Sequence, residues 1–257
     1  MSMGYIHSVE VGSFVDGPGT RFVVFLAGCP LRCQYCHNPD AWRFTDDQTG
    51  SDEIVARIAR TADFLRAGGG GVTLSGGEPL VQAEFALDIL KGARALRLHT
   101  ALDTSGFLED RVGPEMLDNL DLVLLDIKSY DEATYREVTG VDAAPTLRLA
   151  RRLSDACKPV WIRFVLVPGL TDDPANVAGL ARFVAGLSNV ERVEIVPFHQ
   201  MGRHKWEEPG IPYRLQGTLP PSPAEVRRVK ELFDAAGVTV GESHFARCGR
   251  MPEPGEA

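Results

Sequence analysis

Three cysteines lie close together near the start of the chain, in the segment AGCPLRCQYCHNP (27–39). Their spacing is Cys29-x3-Cys33-x2-Cys36, and the chain has five cysteines in all. Thiolates so close together are typical ligands of zinc or of an iron–sulfur cluster. A structural zinc usually takes four ligands, whereas three thiolates on a four-iron cluster leave one iron open for a substrate or cofactor.

The spacing alone leaves the choice of metal open. A zinc site needs a fourth ligand, and the candidates in the sequence are His7, His37, His99, Cys157 and Cys248. The odd number of cysteines argues against a disulfide framework. We therefore interpret the clustered thiols as metal ligands.

The composition is that of an ordinary globular protein. The 257 residues carry a formal net charge of −8, which argues against a partner bound through nucleic-acid phosphates. The sequence has no apolar run long enough to cross a bilayer and no pattern of a signal peptide at its start. We expect a cytoplasmic protein that binds neither nucleic acid nor membrane.

The elements that must position these thiols follow from the alternation of apolar runs with amphipathic segments, which predicts six βα units and a parallel sheet. The predicted strands span residues 21–27, 71–75, 99–103, 122–127, 160–167 and 192–198, with a last short strand at 238–240. The predicted helices span about 51–66, 82–97, 145–156, 174–187 and 222–236. Ser51 or Asp52 is the expected N-cap of the first helix. A partial barrel and an open doubly wound sheet both fit this pattern.

Polar or glycine-rich segments follow every predicted strand of the sheet. After the cysteine loop they are SGGEP (75–79), DTSG (103–106), DIK (126–128), VPG (167–169) and PFH (197–199). The carboxyl ends of parallel strands line the active site in such folds. Asp126 and Lys128 share one face of their strand, and two opposite charges inside a barrel mouth are costly without a polar ligand. Taken singly, Asp126 with Lys128 is more often a structural ion pair and His199 a hydrogen-bonded core histidine, Asp103 and Thr104 could cap a helix, and GGEP is a turn.

The cysteine loop, with Tyr35 before its last cysteine, resembles the cluster loop of the radical S-adenosylmethionine (SAM) enzymes. The GGE segment (76–78) resembles the methionine-binding motif of the same enzymes. Further segments resemble the pyruvate formate-lyase activating enzymes, a family of glycyl-radical enzyme activases, over residues 4 to 240. They are VDGPGTRFVVFLAGCPLRCQYCHNPD (15–40), GGGVTLSGGEP (69–79), LDTSGF (102–107), DLVLLDIK (121–128), VWIRFVLVPG (160–169) and HQMGRHKW (199–206). This resemblance implies a partial (β/α)6 barrel of the TIM type. We expect one radical SAM core domain over residues 1–245 and a flexible tail over 246–257.

The resemblance also implies the cofactors and their ligands. Cys29, Cys33 and Cys36 would hold one [4Fe-4S] cluster, and the amino and carboxylate groups of SAM would chelate its fourth iron. The residues implied to contact SAM are Tyr35, Cys36, His37, Gly76, Gly77, Glu78, Asp103, Asp126, Ile127, Lys128, Arg163 and His199. Glu78 would either face the cofactor's ammonium group or anchor its loop. Asp103, Thr104 and Asp126 match positions of a monovalent cation site, and Asp16 matches a position that contacts the substrate peptide.

The implied reaction is the activation of pyruvate formate-lyase under anaerobic conditions. SAM would be cleaved reductively, and the 5′-deoxyadenosyl radical would remove a hydrogen atom from one glycine of the partner. A flavodoxin or ferredoxin would supply the electron. No cysteine lies between residues 37 and 75, so a single cluster is expected. The alternatives are the activase of another glycyl-radical enzyme, a small radical SAM enzyme acting on a nucleotide precursor, and a non-catalytic zinc module.

Overall fold

The computed structural model describes residues 1–207, 210–238 and 240–241. Within these residues, eight strands form one sheet in the order β3-β1-β2-β4-β5-β6-β7-β8. The strands are β1 (Met3–Ser13), β2 (Arg21–Leu26), β3 (Gln48–Gly50), β4 (Gly71–Gly76), β5 (His99–Thr104), β6 (Leu122–Asp126), β7 (Val160–Leu166) and β8 (Val190–Pro197). Strand β2 and strands β4 to β8 run parallel to one another. The six predicted parallel strands are confirmed.

The sheet curves so that its two sides face a shared interior. Phe25 on β2 and Val196 on β8 line the same cavity, although four strands lie between them. Along β6, Leu122 and Leu124 pack inside this curve with Trp161. Their neighbours on β6 belong to the main core on the outer face of the sheet, because successive side chains of a strand point to opposite faces. The predicted partial (β/α)6 barrel is confirmed.

Helices cover the outer face of the sheet. They are α1 (Ser51–Ala59), α2 (Ala62–Ala67), α3 (Ala83–Ala95), α4 (Pro114–Asp118), α5 (Glu132–Thr139), α6 (Ala144–Asp155), α7 (Pro174–Ala185) and α8 (Pro223–Ala235). Their buried apolar side chains join those of the strands in the main core. Helix α8 begins with a capping box. The Ser222 hydroxyl accepts a hydrogen bond from the amide of Glu225, and the Glu225 carboxylate accepts one from the amide of Ser222. Within the described part of the chain, no helix is long and apolar enough to cross a bilayer.

The sequence predictions were wrong at several elements. The predicted helix over 51–66 is two helices, α1 and α2. Its N-cap is Gly50 rather than Ser51 or Asp52. Ser51 is instead the first helical residue, and its buried hydroxyl lies near the amide of Ser2. The antiparallel strands β1 and β3 and the short helices α4 and α5 were not predicted.

The C-terminal predictions are tested only in part. Val240 forms an isolated parallel bridge with Val193, at the place of the predicted last strand. The expected tail over 246–257 lies outside the described residues. A single domain over residues 1–245 stays a prediction.

Candidate active site

A cavity of about 300 Å³ opens at the carboxyl ends of the parallel strands. It brings together most of the residues that the sequence singled out. Those that line it are Asp16, Cys29, Cys33, Tyr35, Cys36, His37, Gly76, Gly77, Asp103, Thr104, Asp126, Lys128 and Arg163. Glu78, Ile127 and His199 were predicted as cofactor contacts but do not belong to this lining.

The cysteine loop is fixed through its main chain. The amide of Arg32 donates to the carbonyl of Thr139 at 2.7 Å, and the amide of Gln34 donates to that of Val138 at 2.9 Å. Both acceptors lie at the carboxyl end of α5, where the last carbonyls of a helix lack intrahelical partners. The loop between β2 and the first 3-10 turn is therefore held against the end of a helix.

The three thiols are free, and each cysteine is partly buried beside the cavity. Among the described residues, no three His, Cys, Asp or Glu side chains converge as a single metal ion requires. The structure places the three cysteines beside one cavity, as the sequence predicts for the ligands of one metal centre.

Burial also affects the protonation of these thiols. It raises the pKa of Cys33 to about 12, and it raises the pKa values of Cys29 and Cys36 above their ordinary range. Buried thiols of this kind ionise when a cationic metal centre takes up their charge. The loop is thus suited to bind metal rather than to expose a reactive thiolate.

Close packing against β2 and the cysteine loop requires glycine at the last residue of β4, Gly76, and at the residue after it, Gly77. Gly76 has a φ of +116°, and a Cβ there would lie 2.3 Å from the amide nitrogen of Leu26. A Cβ on Gly77 would lie 2.3 Å from the carbonyl oxygen of Gly28. No larger residue fits either position without moving main chain. The end of β4 and the start of the cysteine loop therefore form one wall of the cavity.

Glu78 anchors its loop instead of facing the cavity. Its carboxylate accepts hydrogen bonds from the hydroxyl of Thr104 at 2.7 Å and from the amide of Ser105 at 2.9 Å. It also caps the following 3-10 turn through the amide of Leu80. Of the two roles that the sequence allowed, the structure shows the anchoring one, which joins the loops after β4 and β5.

An ion pair lies at the end of β6. The ammonium group of Lys128 is 2.8 Å from a carboxylate oxygen of Asp126 and 5.8 Å from the ring centre of Tyr35. Burial by itself would lower the pKa of Lys128, but Asp126, Tyr35 and Cys33 together outweigh it and raise this pKa well above its usual value. Ile127, between Asp126 and Lys128, is fully buried in the main core, since alternate residues point to opposite faces. The prediction that Ile127 lines the cofactor site is therefore wrong for its side chain.

A second group of charged side chains joins residues of strands β5, β7 and β8. The guanidinium of Arg163 on β7 is 3.0 Å from Asp103 on β5 and 3.7 Å from Glu194 on β8. The hydroxyl of Ser75 donates to the same Asp103 oxygen at 2.6 Å. The Asp103 carboxylate raises the pKa of Arg163 above its usual value. Glu194 was not among the predicted site residues, although it lies on the inward face of β8 in register with Arg163.

Two buried polar atoms beside the cavity have no hydrogen-bond partner within the described residues, the hydroxyl of Tyr35 and the second carboxylate oxygen of Asp103. Buried polar atoms are nearly always paired in native proteins. Both residues line the cavity next to groups of either charge. The lining therefore fits a ligand that carries both charges and hydrogen-bonding groups, as SAM does.

Two predicted residues lie at the edges of the site. The His199 ring packs on that of His37, with 4.3 Å between ring centres, at the rim rather than in the lining. Asp16 does line the cavity, and its loop is fixed because the hydroxyl of Thr73 donates to its carbonyl at 2.6 Å. The hydroxyl of Ser13 also donates to the Asp16 carboxylate at 2.5 Å. Asp16 therefore lies in the cavity and His199 at its rim, and the cofactor contact predicted for His199 and the peptide contact predicted for Asp16 stay predictions.

Comparison with known proteins identifies the class. Residues 23–181 match the model of the radical SAM superfamily. A radical SAM methyltransferase from Sphaerobacter thermophilus shares this fold, with a TM-score of 0.63 at 18% identity over 90% of this chain and 67% of that one.

Closer relatives narrow the family. The pyruvate formate-lyase-activating enzyme of Staphylococcus epidermidis is 45% identical, over 92% of this chain and 98% of its own length. The pyruvate formate-lyase 1-activating enzyme of Escherichia coli K12 is 40% identical, over 91% and 97%. A crystallised domain of such an enzyme from Bacteroides vulgatus superposes with a TM-score of 0.56 at 29% identity, over 66% and 97%. The chain belongs to the radical SAM superfamily and, within it, to the family of the pyruvate formate-lyase-activating enzymes.

Membership settles the nature of the metal site. Radical SAM enzymes use SAM and a [4Fe-4S] cluster, and the three free cysteines of the loop stay the predicted ligands of that cluster. The non-catalytic zinc module is therefore wrong. The protein is an enzyme of the oxidoreductase class, and its family acts on a glycyl-radical protein.

Proposed function

We propose that this enzyme activates a pyruvate formate-lyase by generating a radical on one glycine residue of that partner. The observation that carries the proposal is the shared cavity. It joins the three thiols, the SGG turn and two partly buried ion pairs at one end of the barrel. Near-full-length similarity to enzymes with this activity supports the same partner. The chemistry that the cluster and SAM supply when bound is reductive cleavage of SAM and hydrogen-atom abstraction by the 5′-deoxyadenosyl radical.

The protein's own residues hold and orient these groups. Cys29, Cys33 and Cys36 would hold the cluster and leave one iron open to the amino and carboxylate groups of SAM. Lys128 and Asp126 would present opposite charges toward this zwitterionic end of the cofactor. Gly76 and Gly77 line the cavity and allow the end of β4 to pack directly against the main chain of β2 and the cysteine loop. The surrounding barrel excludes water from a reactive radical.

The remaining contacts of the cofactor are proposed on the geometry of the lining. Arg163, Tyr35 and His37 extend the binding site along the cavity, and His199 covers its rim by packing on His37. The unpaired oxygen of Asp103 supports the monovalent cation site at Asp103, Thr104 and Asp126. Carboxylate and carbonyl oxygens are the usual ligands of such hard cations.

The partner's glycine must reach the cofactor, because hydrogen abstraction requires close and oriented contact. Asp16 lies in a loop whose carbonyl is tied to Thr73, and its side chain faces the cavity. We propose that it contacts the main chain of the inserted partner loop. A flavodoxin or ferredoxin is the proposed electron donor, and the expected cytoplasmic location stays a prediction from the sequence.

The test is anaerobic incubation of the cluster-loaded enzyme with a reductant, SAM and pyruvate formate-lyase. We expect 5′-deoxyadenosine together with a glycyl radical signal on the partner in electron paramagnetic resonance. The partner with its radical-bearing glycine replaced by alanine is the matched control, and it should give no glycyl signal. Cluster-loaded protein that never cleaves SAM would contradict the proposal. Cleavage without a partner signal would reject this partner in favour of another glycyl-radical enzyme.

A further inference from the structure

A second cavity, of about 420 Å³, lies against the same cysteine loop. Arg32 and Gln34, which flank Cys33 in sequence, line this second cavity, whereas Cys33 lines the first. The two cavities therefore lie on opposite sides of one loop. We call the second one the arginine groove, defined by Arg32, Gln34, Trp42, Arg136, Glu137, Gly140, Trp206, Ile211, Pro212 and Arg214.

The arginine groove is cationic on a chain whose net charge is −8. Three arginines and one glutamate line it. Arg136 is paired with Asp142 at 2.6 Å and with Glu132 at 3.4 Å. Among the ion pairs between described residues, none involves Arg32 or Arg214, and both side chains are exposed. Arg32 and Arg214 therefore present positive charges without an ion-pair partner among the described residues, and the lining has an excess of arginines over its single carboxylate, Glu137.

A single layer of side chains separates the groove from the cluster ligands. The indole N–H of Trp206 donates to the carbonyl of Cys36 at 2.9 Å. The Arg32 guanidinium donates to the carbonyl of Cys29 at 2.6 Å and lies 5.0 Å from the ring centre of Trp42. The two tryptophans are nearly buried and meet edge to face at 5.2 Å. A molecule seated in the groove would thus lie directly against the outer side of the cysteine loop.

The first cavity and the arginine groove, on the two sides of the cysteine loop, would be occupied differently during the reaction. On the proposed function, SAM and the partner's glycine loop fill the first cavity at the moment when radical chemistry takes place. The electron that starts this chemistry must still reach the cluster. A donor that approached through the first cavity would compete with the substrate, whereas one in the arginine groove would not.

We propose that the arginine groove docks the electron donor, a small acidic protein that carries one electron. This inference rests on the proposed function. The donor is oxidised by one electron and the cluster is reduced by one, and no covalent bond forms or breaks at this step. Charge complementarity identifies an acidic partner, since exposed arginines without ion-pair partners attract and orient such a surface. The paired tryptophans supply a rigid aromatic wall of the kind that protein interfaces favour.

The first test measures binding of an oxidised flavodoxin to the cluster-loaded enzyme by isothermal titration calorimetry. Arg214→Glu should weaken binding by about tenfold at low ionic strength, because a reversed rim charge repels the donor. Arg214→Gln should give a smaller loss. The matched control is Arg227→Glu, an exposed arginine of α8 outside the groove, which should bind like the unmodified enzyme. The difference should shrink in about 0.5 M salt, which screens exposed charges.

The second test asks whether the donor and the substrate use separate surfaces. Saturation with SAM and a peptide copy of the partner's glycine loop should leave the donor affinity unchanged. Cleavage of SAM driven by dithionite, a small reductant that needs no docking, should be equal for Arg214→Glu and the unmodified enzyme.

Either of two outcomes would overturn the proposal. One is equal donor affinity of Arg214→Glu and the unmodified enzyme at low salt, and the other is displacement of the donor by the peptide. The failure of the proposed function is distinguishable from both. It would appear as absence of a glycyl radical with dithionite as reductant, while the binding measurements would still decide the role of the groove.

Discussion

Two clusters of buried charge occupy opposite ends of the same barrel, and they are built differently. At the amino ends of the strands, Arg21 is fully buried. It donates to the hydroxyl of Thr73 at 2.9 Å, to the carbonyl of Pro18 at 3.3 Å and to the main chain of β4, and it lies 3.1 Å from the His99 ring. At the carboxyl ends, Arg163 is shared between Asp103 and Glu194.

The difference lies in what each cluster leaves unpaired. We call the group around Arg21, at the amino ends of the strands, the lower cluster, and the group around Arg163, at the carboxyl ends, the upper cluster. In the lower cluster, the N–H donors of Arg21 all meet acceptors of the barrel, so this cluster is closed. The upper cluster leaves one buried oxygen of Asp103 without a partner among the described residues. A closed buried network stabilises the fold, whereas an open one retains binding capacity for a ligand. The lower cluster should therefore govern stability and the upper one function.

The largest effect should come from the cysteine loop beside the upper cluster. Cys33→Ala removes one of the three proposed cluster ligands, so we expect the purified enzyme to lose most of its iron and to cleave no SAM. Its unfolding free energy without metal should change by no more than about 1 kcal/mol, because a small side chain is lost. Iron analysis and urea denaturation check the two halves of this prediction. Retention of full iron content in the variant would contradict the assigned ligand set.

The next effect concerns the lower cluster. Arg21→Met removes several hydrogen bonds of a charged group at once, and we expect the unfolding free energy to fall by about 3 kcal/mol. SAM cleavage should persist below the unfolding temperature. Arg57→Met on the exposed face of α1 is the matched control. If the Arg21 variant were as stable as the control, the lower cluster would have no stabilising role.

A smaller effect should follow from Asp103→Asn in the upper cluster. The amide can still accept the Ser75 hydroxyl, and Arg163 keeps Glu194, so stability should change by about 1 kcal/mol or less. The loss of charge beside the cofactor site should raise KM for SAM by about tenfold. Steady-state kinetics and urea denaturation measure both. A loss of stability equal to that of Arg21→Met would remove the distinction between the clusters.

The smallest effect is a pH dependence of stability. Burial, followed by the neighbouring Arg21 cation, lowers the pKa of His99 from 6.5 to about 4. The unfolded chain then takes up a proton as the pH falls below 6.5, while the folded protein does not until about pH 4. Stability should fall by about 1 kcal/mol between pH 7 and pH 5.5 on this account. His99→Gln should flatten this part of the profile, and an unchanged slope in that variant would assign the effect to other groups.

The sequence was sufficient to predict the six parallel strands, because each is a short segment rich in apolar and β-branched residues that ends at a polar or glycine-rich segment. It was not sufficient for β1, whose pairing with β2 is interrupted by irregularities between Ile6 and Ser8 and between Val11 and Ser13. Such interruptions break the alternation that marks a strand. Helix α5 was missed although Asp131 caps it and Gly140 ends it in the left-handed conformation. Those two signals could have found it.

The candidate site shows the same limit at the level of single side chains. The sequence grouped Asp103, Asp126 and Lys128 because the strand-end rule applies to each strand separately. Pairing Arg163 with Glu194 requires the register between β7 and β8, which no local pattern supplies. The distinction between Glu78 as anchor and as ligand likewise depends on where the loop after β5 folds back.

The main-chain amides of Arg32 and Gln34 tie the cysteine loop to α5, and the side-chain amide of the buried Gln34 adds a bond to the carbonyl of Glu137 at 2.7 Å. Since every residue except proline has a main-chain N–H group, the tie made by Arg32 does not depend on its exposed side chain. Substitution of Arg32 can therefore change the outer surface of the loop while the main-chain bond that holds the loop is kept. Over evolutionary time, we expect the enzyme to follow changes in its redox partner at this exposed position without rebuilding its catalytic centre.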